Sequence, residues 1–330
     1  MKAAYINEPC PPDGIVYGDL PDPTQSGREV LVRVGAVSLN PIDTYVRSGA
    51  VAMALPRPFV VGCDLAGTVE AVGDDVSRFQ VGDRVWGTNQ GLFGRQGTFA
   101  QRAAVDECWL YPTPPDVRDE DAAAASLVGV TAHLGLVRDA ALRRDETIAV
   151  IGGSGGVGST VVQMAKAIGA RVVATAGSDE KVEICRALGA DVVIAYRRQD
   201  IGDGIRAAAP DGVDVFWETR RTPDFDLAVD TMAECGRMVL MAGRDARPPF
   251  PVGPFYLKQC TLHGTAMLKA SAADQRVCAE DISQWLASGA LRPRVDRILH
   301  LSDAAEAHAL QERSTVGGEN ALSGKIVLVI

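Results

Sequence analysis

The sequence predicts an α/β protein in which a doubly wound parallel sheet domain is joined to a β-rich barrel domain. From Leu142 onward, short apolar runs alternate with helical patterns, which is typical of a parallel sheet covered by helices. The segment Gly153–Gly158 fits G-x-G-x-x-G between a strand pattern and a helix pattern. Residues 1 to about 118 instead contain strand patterns with recurring glycines and prolines, which indicate a small, strongly curved barrel.

The glycine segment belongs to a longer strand–turn–helix unit. Thr147–Ile151 is an apolar run of the kind that forms a buried parallel strand. Helical periodicity starts at Val157 and ends at Gly169, a favourable C-terminal residue. The glycines permit a sharp turn and a close approach to a pyrophosphate, whose charge is favoured at a helix N-terminus. The unit therefore predicts a dinucleotide-binding site.

An alternative from another enzyme class uses the same residues. Gly152–Gly156 also fits G-x-S-x-G, the nucleophile turn of an α/β-hydrolase, with Ser154 as nucleophile. That interpretation needs an acid and a histidine further along the chain, for which Asp214 and His263 are the candidates. A hydrolase of this kind would turn over activated esters and lose that activity in a Ser154→Ala variant.

Composition limits the classes of function. The 330 residues are enough for two domains, and the net charge of −9 without a Lys/Arg cluster argues against a nucleic-acid partner. We find no signal peptide and no apolar run that would span a membrane. Seven cysteines without a C-x-x-C indicate buried thiols in a reducing cytoplasm, and four histidines without H-E-x-x-H offer little for a metal.

The remaining elements follow the same alternation. Strands are predicted at Val30–Val34, Arg171–Thr175, Asp191–Ala195, Val213–Trp217, Arg237–Met241 and Cys260–Gly264. Helices are predicted at Ala122–Leu136, Asp179–Leu188, Ile201–Ala209, Phe225–Glu234 and Ala273–Ser288. The last strand, Gly324–Ile330, is expected to return to the first domain. We place the domains at residues 1–121 and 122–268, with residues 269–330 as the returning segment.

Several segments together resemble one family. They are Asn40–Gly49, Gly62–Gly73, Val81–Val85, the glycine turn and the final Gly-Lys-Ile-Val-Leu. Over nearly its whole length the chain resembles the zinc-free quinone oxidoreductases of the medium-chain dehydrogenase/reductase (MDR) superfamily. The resemblance implies a GroES-like substrate domain, a Rossmann domain that binds NADPH, and a homodimer joined through the Rossmann domains. It implies NADPH-dependent hydride transfer to a quinone or to an activated C=C bond (enone). A further alternative is an NADPH-binding protein with little catalysis.

The residues at the zinc positions of metal-dependent relatives predict that this chain binds no metal. The position of a G-H-E motif reads Gly62-Cys63-Asp64, and Asn40 lies in the segment where an early cysteine would fall. Cys63 and Asp64 alone do not complete a tetrahedral zinc site. Cys63 is interpreted as a small buried apolar residue.

The end of the second Rossmann strand suggests the cofactor. An NAD site usually has Asp or Glu there to bind the ribose hydroxyls, whereas this chain has Thr175–Ser178. Ser178 is the expected N-cap of the next helix. The resemblance further implies that Ser178, Lys181 and Tyr196 hold the 2′-phosphate of NADPH, and so it favours NADPH over NADH.

The resemblance also implies the other site residues. Tyr45 and Asn40 correspond to residues beside the nicotinamide, where a hydroxyl or an amide N–H would hydrogen-bond the acceptor oxygen as charge develops. Alternatively, Tyr45 only forms a wall of the pocket and solvent delivers the proton. Asp43 is expected to be structural. The remaining cofactor-binding candidates are Thr131, Ser154, Gly155, Gly156, Val157, Ala242, Gly243, Gly264, Thr265 and Lys325.

The loop after the fourth Rossmann strand departs from the family. Relatives usually carry Asp-x-x-Gly there, whereas this chain has Glu218-Thr219-Arg220-Arg221. One hypothesis is that Arg220 binds an anionic group of the acceptor. The alternative is that Arg220 and Arg221 are solvated surface side chains. The same two interpretations apply to Arg244.

Overall fold

The computed structural model describes residues 1–319 and 321–330, and the chain divides into two compact units. The discontinuous unit comprises Met1–Leu127 and Leu268–Ile330, and the central unit comprises Val128–Met267. The first unit boundary lies six residues beyond the predicted domain end at position 121. The second lies one residue before the predicted domain end at position 268. Within the described ranges, no helix is both long enough and apolar enough to cross a membrane.

The strands alternate with helices from the middle of the chain onward. The strands are β1 (Lys2–Ile6), β2 (Val16–Asp19), β3 (Glu29–Leu39), β4 (Phe59–Val60), β5 (Asp64–Val72), β6 (Arg84–Gly87), β7 (Arg102–Asp106), β8 (Leu110–Pro112), β9 (Thr147–Val150), β10 (Arg171–Ala176), β11 (Val192–Ala195), β12 (Val213–Glu218), β13 (Met232–Leu240), β14 (Thr261–Gly264), β15 (Val295–His300) and β16 (Lys325–Val329). The helices are α1 (Pro41–Arg47), α2 (Asp119–His133), α3 (Gly156–Ile168), α4 (Asp179–Ala187), α5 (Ile201–Ala208), α6 (Phe225–Thr231), α7 (Val252–Leu257), α8 (Ala272–Ser288) and α9 (Ala304–Thr315).

The central unit contains one six-stranded sheet with all strands parallel. Its strand order is β11-β10-β9-β12-β13-β14, which is the 3-2-1-4-5-6 order of a Rossmann domain. Apolar side chains of the strands and of helices α5 and α6 form the core on one face, including Ala149, Ile194, Ile205 and Val229. The doubly wound sheet predicted from the alternation is therefore confirmed.

The discontinuous unit is β-rich and takes its strands from both ends of the chain. Its larger sheet has the order β15-β16-β3-β5-β6-β8, with β7 also paired to β3, and a smaller sheet has the order β2-β1-β4. Strand β16 pairs antiparallel with β3, with Val327 opposite Ser38. The C-terminal strand thus returns to the first domain, as its sequence predicted.

One predicted helix ends earlier than expected. Residues 225–234 were predicted as a single helix, but α6 ends at Thr231 and Met232 begins β13. The ammonium group of Lys258 donates hydrogen bonds to the carbonyl oxygens of Val229, Asp230 and Met232. These carbonyls have no intrahelical partner at a helix end, so the lysine satisfies them and stabilises the early stop.

Helix α2 continues into a π-helical turn at Leu134–Asp139. A Cβ atom at Gly135 would lie 2.4 Å from the Trp217 ring, so only glycine fits between this turn and the sheet. Asp139 at the end of the turn reaches the end of β14, where its carboxylate accepts a hydrogen bond from Thr265. The π-helical turn therefore positions a residue at the carboxyl edge of the sheet.

Candidate active site

The glycine turn between β9 and α3 has the geometry of a phosphate-binding turn. Gly152 has φ +78°, and a Cβ atom at Gly158 would lie 2.1 Å from the Gly152 carbonyl oxygen. The first helical hydrogen bond runs from the Ser159 N–H to the Gly155 oxygen, so the amides of Gly156, Val157 and Gly158 precede it. Amides at this place, together with the helix dipole, favour a bound pyrophosphate. The turn therefore fits a dinucleotide, with Ser154–Val157 at the site.

Two threonines that sequence reasoning did not single out support the turn. The Thr175 hydroxyl and carbonyl oxygens accept hydrogen bonds from the N–H groups of Gly152 and Gly153, at 2.9 and 3.0 Å. The Thr219 hydroxyl donates to the Ile151 oxygen at 2.6 Å. Both residues lie at the ends of neighbouring strands, and their sequence gives no sign of these contacts. The conformation of the turn thus depends on three adjacent strands.

The end of β10 brings together the three residues that the resemblance assigns to a 2′-phosphate. Ser178 is the N-cap of α4, and its hydroxyl accepts from the Lys181 N–H at 3.3 Å. The Tyr196 N–H donates to the Ala176 oxygen, and a Cβ at Gly177 would lie 2.2 Å from the Tyr196 hydroxyl oxygen. Gly177 therefore allows the tyrosine to lie directly beside the Ser178 turn. No acidic side chain occupies residues 175–178 at the end of this strand.

The ends of β13 and β14 contribute the other predicted positions in the central unit. Gly243 has φ +87°, and a Cβ there would lie 2.8 Å from the Arg221 oxygen, so the turn at Ala242–Gly243 needs glycine. Thr265 follows Gly264, and its hydroxyl donates to the Asp139 carboxylate at 2.6 Å. Burial acts to raise the pKa of Asp139, but hydrogen bonds from Arg138 and Thr265 outweigh it and lower the pKa overall. Thr131 is buried on α2.

The loop that departs from the family closes on itself. The Arg220 guanidinium forms a bidentate ion pair with the fully buried Glu218 carboxylate, with nitrogen–oxygen distances of 2.7 and 3.0 Å. The Arg220 N–H also donates to this carboxylate. Glu218 thus neutralises Arg220, the cation that the hypothesis assigns to an anionic group of the acceptor. The hypothesis of an anionic acceptor therefore loses its main support. Arg244 lies beside Asp245, with 3.4 Å between their charged groups.

In the discontinuous unit, the start of α1 lies against a buried polar cluster of Asn40, Asp43, Cys63, Asp64 and Lys325. The Asn40 amide donates to Asp64 at 2.7 Å and accepts from the Lys325 ammonium. Lys325 also donates to the Leu39 oxygen at 2.7 Å. The Asn40 N–H donates to Asp43 at 2.7 Å. Lys325 and Asn40, both predicted to contact ligands, are therefore engaged inside this unit.

Charges within the cluster perturb one another. Burial raises the pKa of Asp43 to about 7, and the negative charge of Asp64 adds to the effect. Burial also raises the pKa of Asp64 and lowers that of Lys325, although each group favours the charged form of the other. Cys63 is buried, as predicted, and burial raises the pKa of its thiol well above its usual range. One ammonium thus faces two carboxyl groups.

The cluster also bears on the question of a metal. In the part of the chain that the structure describes, no group of three or more His, Cys, Asp or Glu side chains is arranged to hold a metal ion. Asp64 already receives hydrogen bonds from Asn40 and from Thr88, the latter at 2.6 Å. This carboxylate is therefore already engaged by two neutral donors.

Helix α1 holds Tyr45 on a firmly attached segment. Arg47 in the last turn is fully buried, donates to the Cys10 oxygen at 2.7 Å and pairs with Glu312 on α9. In the first turn, the Asp43 carboxylate accepts a hydrogen bond from the Asn40 N–H. Tyr45 lies between these two anchored residues and is half-buried. Its hydroxyl group is therefore carried on a short helix fixed at both ends.

The hydrolase interpretation fails on the placement of its residues. Ser154 follows the carboxyl end of β9, whereas the Asp214 carboxylate accepts from the Thr147 N–H at the opposite end of that strand, at 2.8 Å. His263 lies on β14, and its ring nitrogen is 3.1 Å from the Thr261 hydroxyl. An acid at the opposite end of the sheet cannot orient a histidine beside Ser154. Ser154 lies instead in the glycine turn between β9 and α3.

Comparisons with known proteins agree with this fold. Residues 26–115 match the alcohol dehydrogenase GroES-like domain, and residues 156–286 match the zinc-binding dehydrogenase family. A quinone oxidoreductase of Pseudomonas aeruginosa is 32% identical over 93% of this chain and 94% of the relative. An NADPH-dependent alkenal/one oxidoreductase of Arabidopsis thaliana is 37% identical over 67% of this chain and 57% of the relative.

Solved structures of similar proteins cover the whole chain. An NAD-dependent alcohol dehydrogenase superposes with a TM-score of 0.90 at 31% identity, covering 100% of both chains. A mycobacterial protein solved in complex with NADPH superposes with a TM-score of 0.84 at 28% identity, again over 100% of both chains. The Rossmann and GroES-like domains thus define a nicotinamide-dependent oxidoreductase. The chain belongs to the MDR superfamily, among its quinone oxidoreductase-like members.

Proposed function

We propose that this enzyme is an NADPH-dependent, zinc-independent, cytoplasmic reductase that transfers hydride to a quinone or to an enone. The observation that carries the cofactor assignment is the end of β10, where Ser178, Lys181 and Tyr196 lie together and no carboxylate occupies residues 175–178. A carboxylate there would repel a 2′-phosphate, whereas a hydroxyl and an ammonium bind one. The names of the relatives support quinones and enones as the acceptor class.

The residues of the chain supply binding and position. NADPH, when bound, supplies the hydride. The amides at Gly156–Gly158 hold the pyrophosphate at the start of α3, and Thr175 and Thr219 fix that turn. The backbone at Ala242–Gly243 and Gly264–Thr265 orients the nicotinamide, with Asp139 holding Thr265. An acceptor held against the face of the nicotinamide by side chains of the enzyme would not need a metal for its orientation.

We assign the hydrogen bond to the acceptor oxygen to Tyr45 rather than to Asn40. The Asn40 side chain is fully buried, and its amide nitrogen and oxygen are bound to Asp64 and Lys325. Tyr45 is half-buried on a helix fixed by Asp43 and Arg47. A preorganised hydroxyl donor stabilises the negative charge that develops on a quinone or enone oxygen.

Titration of the purified enzyme with NADPH and NADH, followed by nicotinamide fluorescence, tests the proposal. We expect NADPH to bind at least about tenfold more tightly than NADH, because charge-assisted hydrogen bonds to the phosphate contribute about 1.5–3 kcal/mol. Lys181→Ala should reduce that preference. Addition of a quinone or an enone should then oxidise the bound NADPH. Equal affinity for the two nucleotides, or no oxidation with either acceptor class, would contradict the proposal.

We further propose that the enzyme is a homodimer joined through the edge strand β14. This strand ends the six-stranded sheet, and its outer edge presents backbone groups to another strand. Leu262 on β14 is 39% exposed, and no residue of the neighbouring helix α7 is buried. Val252, Tyr256 and Leu257 on that helix are 63–70% exposed. Pairing of β14 with its copy would cover this apolar surface.

Sedimentation equilibrium of the parent and of Leu262→Lys tests the dimer. We expect the parent to sediment as a dimer of the 34.9 kDa chain and the variant as a monomer, because a charge in the strand pair is desolvated. Val81→Lys is the matched control, because Val81 is 64% exposed and lies in the discontinuous unit. A monomeric parent, or a Leu262→Lys variant that stays dimeric, would exclude this interface.

A further inference from the structure

We propose that Arg198 is a specificity-determining residue that binds the 2′-phosphate of NADPH by exchanging its ion pair with Asp179 for the phosphate. This inference rests on the proposed NADPH dependence and adds a cation beyond Ser178, Lys181 and Tyr196. It also assigns Asp179 an opposing role, because that carboxylate competes with the phosphate for the same guanidinium.

The topology of the sheet brings Arg198 to this place. Strands β10 and β11 are parallel and end at paired residues, with Ala176 opposite Ala195. The segments that follow them therefore leave the same edge of the sheet side by side. The N–H groups of Arg198 and Gln199 both donate to the Ala195 oxygen, which turns the chain back at once. Arg198 thus stays close to the Ser178 turn.

A direct contact confirms this placement. The Arg198 guanidinium pairs with the carboxylate of Asp179, the first residue of α4. Asp179 directly follows the N-cap Ser178, whose hydroxyl accepts from the Lys181 N–H. The guanidinium therefore lies at the N-terminal end of α4, next to the positions assigned to the 2′-phosphate.

The ion pair is weak enough to exchange. Both side chains are largely exposed, Arg198 by 65% and Asp179 by 78%, and exposed pairs contribute little to stability. A phosphate monoester carries more charge than a carboxylate and offers three oxygens, and guanidinium binds it bidentately. The 2′-phosphate therefore displaces Asp179 from Arg198. NADH lacks this phosphate and leaves the ion pair intact, so the exchange discriminates between the two nucleotides.

Three variants separate this role from a general surface effect. Arg198→Ala removes the cation, and Asp179→Asn removes its competitor without changing the size of the side chain. Arg186→Ala is the matched control, because Arg186 lies on the same helix and is paired with the exposed Glu183. For each variant, dissociation constants for NADPH and NADH are measured by fluorescence, and 2′,5′-ADP competition isolates the phosphate contact. Thermal midpoints verify that each variant is folded.

The variants should shift affinity in opposite directions. We expect Arg198→Ala to raise the NADPH dissociation constant about tenfold and to change that of NADH less than twofold. Asp179→Asn should lower the NADPH constant about two- to threefold, and Arg186→Ala should change neither. A folded Arg198→Ala variant with the parent's NADPH affinity would overturn the inference while leaving NADPH dependence intact. A parent without NADPH preference would instead refute the proposed function.

Discussion

Replacement of Lys325 by methionine is expected to lower the free energy of unfolding by about 3–5 kcal/mol at pH 7. Lys325 is buried and is the cation of a cluster that contains Asp43 and Asp64. It donates to the Leu39 oxygen and to Asn40, which in turn donates to Asp64. Methionine has a similar length but no charge, so the carboxylate of Asp64 remains buried without a compensating cation. Leaving a buried carboxylate without its nearby cation is strongly destabilising.

Urea denaturation of Lys325→Met and of Lys2→Met measures the effect. Lys2 is exposed and pairs with Asp19 at 2.8 Å, so the same substitution there removes a surface ion pair. We expect no measurable change for Lys2→Met, since exposed pairs contribute little. The double variant Lys325→Met, Asp64→Asn should recover part of the loss, because the uncompensated carboxylate is gone. An unchanged urea midpoint in Lys325→Met would show that the ammonium does not balance the cluster.

Local sequence pattern predicted the central unit well. Strands such as β9, β10 and β12 are short, largely apolar runs followed by helix patterns, so the signal lies within about 10 residues of the element it describes. The turn at Gly152–Gly158 could be recognised because its conformation depends on residues that are adjacent in sequence. The end of helix α6 was missed, because Lys258 caps the carbonyls from a position 26–29 residues away. Helix α7 was also not predicted.

Contacts between distant residues were beyond that reasoning. Lys325 and Asn40 are 285 positions apart, and neither residue carries a local pattern that indicates burial with its partner. The same holds for Asp139 and Thr265, which are 126 positions apart. Their meeting depends on the return of β16 to β3 and on the place of β14 in the sheet. The sequence could therefore name Lys325, Asn40 and Thr265 as candidates, but it indicated neither Asp139 nor any of these pairings.

The Asp43 carboxyl should make the enzyme less stable as the pH rises from about 4.5 to 6.5. Its pKa is about 7 in the folded protein, compared with an ordinary value of 3.8, mainly because it is buried and secondly because Asp64 is close. Between these values the folded chain holds a proton that the unfolded chain has released. Stability therefore falls with rising pH, by about 1.4 kcal/mol per pH unit for one proton.

Comparison with Asp43→Asn isolates this contribution, because asparagine keeps an oxygen that can accept from the Asn40 N–H and does not titrate. The free energy of unfolding of the parent, relative to that of the variant, should decrease steadily between pH 4.5 and 6.5. Asp19→Asn is the control, since the Lys2 hydrogen bond lowers the pKa of Asp19. The effect of Asp19 on the free energy of unfolding therefore changes with pH only in more acidic solution. Parallel pH profiles for the parent and Asp43→Asn would mean that Asp43 is ionised in the folded protein. The single ammonium of Lys325 would then face two buried negative charges. Its loss would lower the free energy of unfolding by more than the loss of one buried ion pair does.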